Sequence, residues 1–126
     1  NAVKHFKWEP RGKRRLHKKP SAREIAACRP WLLAELELIS PQFLICLGAT
    51  AARSVFDRTV KITDARGKLL STPGAQHTIV TVHPSSLLRA PDPQSREEAY
   101  RQFVRDLSLV SAHSKRSAAH RETAGK

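Results

Sequence analysis

Cysteine is scarce in this chain: its 126 residues include two, Cys28 and Cys46. That excludes a disulfide framework and suits a reducing compartment. Long apolar runs are also missing. The longest holds about five residues, against roughly 18–20 for a bilayer-spanning helix. The opening residues lack the charged, apolar and small succession of an export signal, so a cytoplasmic home is expected. Acids are few, 11 against 23 lysines and arginines, which leaves a net charge of +12. The length allows one domain or part of one. With 40% hydrophobic and 27% charged residues, the composition excludes wholesale disorder.

The positive charge is unevenly placed. Residues 1–20 hold eight basic side chains and one acid, residues 21–110 hold 11 against nine, and residues 111–126 hold four against one. A basic stretch collects polyanions and releases a counterion for each phosphate it neutralises. The stretch 111–126 is rich in Ser, Ala, Lys and Arg without periodic apolar residues, which predicts a disordered basic tail. Residues 4–19 differ, because aromatics and histidines interleave with the cations in Lys4-His5-Phe6-Lys7-Trp8 and Lys13-Arg14-Arg15-Leu16-His17. Aromatic faces beside cations suit unstacked bases as well as phosphates.

Pro10, Gly12 and Pro20 punctuate the first twenty residues, predicting a loop. Ser21 and Glu24 form a capping-box pair, followed at helical spacing by Ile25, Cys28, Leu32, Leu36 and Ile39. Pro30 lies inside that pattern and predicts a kink or a split into two helices. Phe43 to Leu47 is a continuous apolar run ending at Gly48, the pattern of a strand covered on both faces. Ala49 to Phe56 reads as a helix, Val60 to Gly74 as irregular or weakly paired chain with a turn at Arg66-Gly67, and Thr78 to Val82 as a second strand ending in His83-Pro84-Ser85. Pro91 and Pro93 mark a loop before an amphipathic helix from Arg96 to Val110, with Tyr100, Phe103, Val104 and Leu107 on one side. Alternating strands and helices predict an α/β fold with parallel strands, whose ligands bind at the strands' carboxyl ends. Two strong strands are few for a complete sheet. A third, ended by Asn1-Ala2-Val3, is expected to precede them.

Each candidate for chemistry is weak by itself. An imidazole at His83 can donate to a developing oxyanion, and Ser85 with its amide can hold a phosphate, although His-Pro-Ser also serves as turn chemistry. A neutral imidazole at His17 is a nucleophile, although a histidine in a basic loop is usually a solvated side chain. The spacing of His5 and Cys28 matches no zinc pattern, and two ligands do not close a metal site. Cys28 on a helix face and Cys46 in an apolar strand read as core residues.

In register, the segments say more. Asn1-Ala2-Val3-Lys4, the Ser21-x-x-Glu24 helix leading to Cys28, the strand from Pro41 into Gly48-Ala49-Thr50-Ala51-Ala52, and Val82-His83-Pro84-Ser85 follow one another in this order. The series resembles the C-terminal two-thirds of the family 4 uracil-DNA glycosylases, the iron–sulfur members of their superfamily. Arg11-Gly12-Lys13-Arg14-Arg15-Leu16-His17 resembles the extra basic loop of the UdgX-type branch. The resemblance covers residues 1 to about 110 and leaves the tail out. It implies a three-layer α/β/α fold with a mostly parallel sheet, incomplete at the N-terminus.

By this resemblance Asn1 pairs with the uracil edge of a flipped base. His83 stabilises the departing uracil anion, Ser85 anchors a DNA phosphate, and Leu87, Leu88 and Arg89 press on the DNA backbone. His5 and Cys28 match two ligands of a 4Fe–4S cluster, with two cysteines and a glycine-rich loop expected upstream of residue 1. The cluster's implied role is to staple the basic loop to the helix bearing Cys28. His17 matches the loop histidine that captures C1′ of the sugar in the UdgX-type branch, while Lys13, Arg14 and Arg15 hold the loop on phosphates. The implied partner is uracil-containing DNA, preferably single-stranded, bound by a monomer without membrane attachment in a bacterial nucleoid. Two other readings are a hydrolytic uracil-DNA glycosylase, in which His17 is only a DNA contact, and a basic nucleic-acid-binding module without chemistry. Residues 1–126 alone are expected to lack a complete pocket, since neither the glycine-rich motif nor the uracil-stacking aromatic is among them.

Overall fold

The basic N-terminal segment is not a plain loop. In the computed structural model, which describes residues 1–124 and the side chains through residue 115, it forms an antiparallel hairpin of β1 (Trp8–Arg11) and β2 (Arg14–His17). Gly12, at φ 58°, occupies the first of the two connecting positions, where a II′ hairpin favours glycine. The punctuation expected of a loop instead marks a tight turn between two short strands.

Helix α1 (Ala22–Ile39) begins with the capping box: the Glu24 amide donates to Ser21 Oγ, and the Glu24 carboxylate accepts from the Ser21 amide at 2.6 Å. It runs as one helix through Pro30, so the split expected there does not occur. Proline removes one backbone bond. Buried side chains on both sides of it, Ile25 and Cys28 before and Leu36 after, hold the two halves on one packed face. Arg29 fastens α1 to α2 (Ala49–Phe56), donating to the carbonyl oxygens of Ser54 at 3.0 Å and Val55 at 3.4 Å.

The sheet has the order β3-β5-β4, built from β3 (Phe43–Leu47), β4 (Leu70–Thr72) and β5 (Ala75–Thr81). β3 and β5 are parallel, as expected, with Cys46 opposite Val80; β4 runs antiparallel on the other side of β5. The stretch expected to be irregular or weakly paired contains the short, register-shifted β4 and, unexpectedly, a short helix, α3 (Ile62–Ala65). One sheet face buries Cys46 and Val80 against Ala52, Val55 and Ala65, with Leu32 and Leu44 packed around them. On the other face lies α5 (Pro93–Ala124), giving an α/β arrangement of helix, sheet and helix.

Two expectations change with α5 and β3. The helix starts at Pro93 rather than Arg96, because Asp92 accepts from the Ser95 amide at 2.8 Å and proline is tolerated in a first turn. It continues through Ala124, taking in most of the stretch expected to be a disordered tail; residues 125–126 lie outside the described residues. His113 supplies a local reason, since its ring packs edge-on to His77 at 4.2 Å and to Phe43 at 5.8 Å. β3 is not covered on both faces: Ile45 and Leu47 each keep 38% exposure at the sheet's edge. Among the described residues no helix is long and apolar enough to cross a membrane.

Candidate active site

Two groups of predicted residues emerge, one at the carboxyl ends of β3 and β5, the other on the hairpin. At the strand ends, the Gly48 amide donates to the Thr81 carbonyl at 2.8 Å. Gly48 has φ 90°, and a methyl group on it would lie 3.1 Å from His83 Cβ. Glycine here allows the β3–α2 corner to approach the histidine.

His83 is exposed and caps the short helix α4 (Pro84–Leu87). The Ser85 amide donates to His83 Nδ1 at 3.2 Å, and Ser85 Oγ lies 2.8 Å from the same nitrogen. A ring nitrogen that accepts from an amide carries no proton, so the neutral imidazole bears its hydrogen on Nε2. Nε2 is thereby the donor available to a developing anion. The Ser85 amide, expected on a phosphate, is engaged with His83 in this arrangement. The backbone turn is held separately: Ser86 donates to the His83 carbonyl from its amide at 2.9 Å and from Oγ at 2.7 Å. Leu87 is buried, whereas Leu88 and Arg89 are exposed beyond it.

Below this turn lies a buried polar assembly that the sequence reading missed. Asp106 Oδ2 accepts from Thr81 Oγ1 at 2.6 Å and from Arg66 Nε and Nη2 at 3.0 and 2.8 Å. Arg66 Nη1 donates to Gln102 Oε1 at 3.0 Å. The available signal was Asp106, one acidic residue on the same turns of helix as Phe103 and Leu107.

On the hairpin, His17 stands directly opposite Trp8, and its ring lies 5.4 Å from that of Phe6. Side chains alternate along a strand, so Arg15 shares the His17 face while Arg14 points to the opposite one. The Arg15 guanidinium sits 4.6 Å above the Trp8 ring, a cation–π contact. Lys13 is exposed in the turn. The three basic residues expected to act together therefore divide, and Arg15 alone flanks the histidine on its own face. Arg11, Lys13, Arg14, Arg15 and Lys19 have no carboxylate partner among the described residues, whereas Lys18 pairs with Glu9 at 2.6 Å.

Ion pairs fasten this segment to α1. Lys7 Nζ donates to Glu24 at 2.8 Å and Lys4 Nζ to Glu35 at 2.6 Å. The Lys7 ammonium, with the Ser21 amide and hydroxyl, holds the Glu24 carboxyl down to about 2, and Lys4 likewise lowers that of Glu35. No hydrogen bond, ion pair or ring contact joins His17 to His83 among the described residues. Asn1 is exposed and its side chain has no hydrogen-bond partner among them.

His5 is exposed, and Cys28 is buried on α1. Among the described residues no three His, Cys, Asp or Glu side chains gather as a metal site. The described residues therefore do not by themselves form a complete four-ligand cluster site. Cys46 is a core thiol, pushed up to about 11 by burial, which keeps it protonated and inert.

The sequence profile of the Uracil DNA glycosylase superfamily matches residues 1–108. A Type-4 uracil-DNA glycosylase of Thermotoga maritima is 44% identical over 71 residues, covering 56% of this chain and 37% of that protein. Another Type-4 uracil-DNA glycosylase, from Pyrobaculum aerophilum, is 29% identical over 97 residues, covering 71% of this chain and 46% of that protein. The chain thus spans less than half the length of either relative. With a family match over most of its length and an α/β sheet that ends in His83-Pro84-Ser85, the chain belongs to the uracil DNA glycosylase superfamily.

Proposed function

We propose that the full-length protein excises uracil from DNA and is then captured on the abasic sugar through His17, as a member of the UdgX-type branch. The observation that carries this reading is the placement of His17 on a paired basic hairpin, opposite Trp8 and on the same face as Arg15. A solvated loop histidine has no need of paired strands behind it. The hairpin instead fixes the direction in which one imidazole and one guanidinium point.

Bond changes follow from these groups. As the C1′–N1 bond breaks, its electron pair leaves on uracil, and His83 Nε2–H donates to the resulting anion. Asn1 pairs with the flipped base, while Ser85, Arg89, Lys13, Arg14 and Arg15 supply contacts to phosphates. The electron-poor C1′ accepts the lone pair of a His17 ring nitrogen, forming an N–C1′ bond and an imidazolium. A held imidazole competes with water through effective concentration. The product has no ready leaving path, so each molecule acts once.

Uracil-containing single-stranded DNA incubated with full-length protein and run on a denaturing gel tests the reading. A heat-stable shifted band, lost in His17→Ala, is expected; its absence near neutral pH removes the covalent step. The relatives' name, Type-4 uracil-DNA glycosylase, favours a second reading, conventional hydrolysis with turnover. Free abasic product accumulating over many turnovers, unaffected by His17→Ala, would select it. A 4Fe–4S cluster with His5 and Cys28 among its ligands belongs to the same proposal, as does binding as a monomer. Visible absorbance and iron in anaerobically prepared full-length protein check the cluster.

A further inference from the structure

We propose that Phe6 is a positioning residue for His17, and that its ring sets whether the cationic sugar is taken by the imidazole or by water. This rests on the capture reading above. Phe6 lies outside the strands and keeps 61% of its surface exposed, so the core does not account for its position. Its ring lies against His17 at 5.4 Å between centroids, tilted by 33°. Trp8, directly across the ladder from His17, is occupied on its face by Arg15. The two aromatics thus serve different partners, Trp8 the guanidinium and Phe6 the imidazole.

The backbone beside them is fixed. The Lys18 amide donates to the Lys7 carbonyl at 2.8 Å, closing the ladder next to Phe6 and His17. Lys7 Nζ is in turn held by Glu24 at the start of α1. An exposed imidazole at a strand end would otherwise sample several staggered wells. A phenyl ring against one side removes some of these wells and raises the fraction of time spent near the attacking geometry, on which effective concentration depends. The ring also favours the product charge, since capture turns the neutral imidazole into a cation beside an aromatic group.

The balance at C1′ makes this measurable. In capture, the His17 nitrogen forms the bond to C1′ as the pair of the C1′–N1 bond departs with uracil. In hydrolysis, a water oxygen forms that bond and releases a proton to solvent. Both routes share the departure of uracil, so a residue acting only on His17 changes their ratio and not their sum. Phe6 is largely solvated, and its truncation removes little buried surface.

The experiment uses full-length protein and uracil-containing single-stranded DNA, quantifying adduct and alkali-cleavable abasic strand from the same quenched time points. For Phe6→Ala the adduct-to-abasic ratio is expected to fall about tenfold while total uracil release stays within about twofold. Phe6→Tyr is expected to restore the ratio. An unchanged ratio in Phe6→Ala, with or without slower uracil release, overturns the proposal. So does failure of Phe6→Tyr to recover it. If wild-type protein releases uracil without any adduct, the capture reading itself fails and takes this proposal with it; adduct in wild type and none in His17→Ala separates the two cases.

Discussion

Thr81 Oγ1 donates to Asp106 Oδ2 at 2.6 Å, tying the last residue of β5 to the middle of α5 two positions before His83. The same carboxylate oxygen receives Arg66, so one buried side chain joins the sheet, α5 and the residue that follows α3. The Thr81 carbonyl meanwhile accepts from Gly48. The end of β5 is therefore fixed through its side chain on one layer and through its backbone on the neighbouring strand end.

Removing that carboxylate leaves a guanidinium and a hydroxyl without their shared acceptor. The Arg66 side chain retains 22% exposure, so water recovers part of the loss. Asp106→Ala is expected to lower stability by about 2–3 kcal/mol, read from the denaturant midpoint. Thr81→Val, which keeps the shape and removes one donor, is expected to cost about 1–2 kcal/mol. Equal effects from the two variants would mean that the two Arg66 contacts to Asp106 add nothing to the one from Thr81.

Gly48→Ala probes the approach of β3 to His83. Its φ of 90° disfavours an L side chain, and the added methyl meets His83 Cβ at 3.1 Å. The expected cost is about 1–3 kcal/mol. The uracil excision proposed for the full-length protein should fall by about tenfold or more in this variant, measured below the unfolding temperature. Wild-type excision in this variant would show that His83 tolerates displacement.

Pro30→Ala is expected to stabilise the protein. Pro30 is exposed within a continuous helix, and alanine restores an amide donor without removing core packing. A gain of about 1–2 kcal/mol should appear as a higher melting temperature. A loss would mean that α1 needs the proline's local geometry.

Acid should loosen the hairpin from α1. Glu24 has its carboxyl lowered from 4.5 to about 2 by Lys7 and Ser21. Its anchoring contribution is thus fully present above the unfolded value near 4.5 and is lost as pH falls through about 2. Hydrogen exchange at the Lys18 amide, which closes the hairpin, should accelerate across that interval. Glu24→Gln should give fast exchange already at neutral pH, with the acid step gone.

Much of the fold was legible because its signals are local. The capping box at Ser21 and Glu24, the apolar run of β3 and the His-Pro-Ser turn each lie within a few residues. Other features were hidden. Lys13, Arg14 and Arg15 look equivalent in the sequence, yet pairing places Arg15 over Trp8 and turns Arg14 to the other face. β4 was legible only as weak pairing somewhere between Val60 and Gly74, because three residues with a register shift carry little pattern of their own.

The sequence by itself determined where chain can bend, which helix faces are apolar and where the positive charge collects, since these depend on residue type and spacing. Tertiary structure decided which of those features meet. Asp106 becomes a buried acceptor because α5 crosses the end of β5, and Phe6 touches His17 because a two-residue turn folds β2 back along β1. Contacts between distant residues depend on register and packing angle, and neither is encoded in any one short stretch of chain.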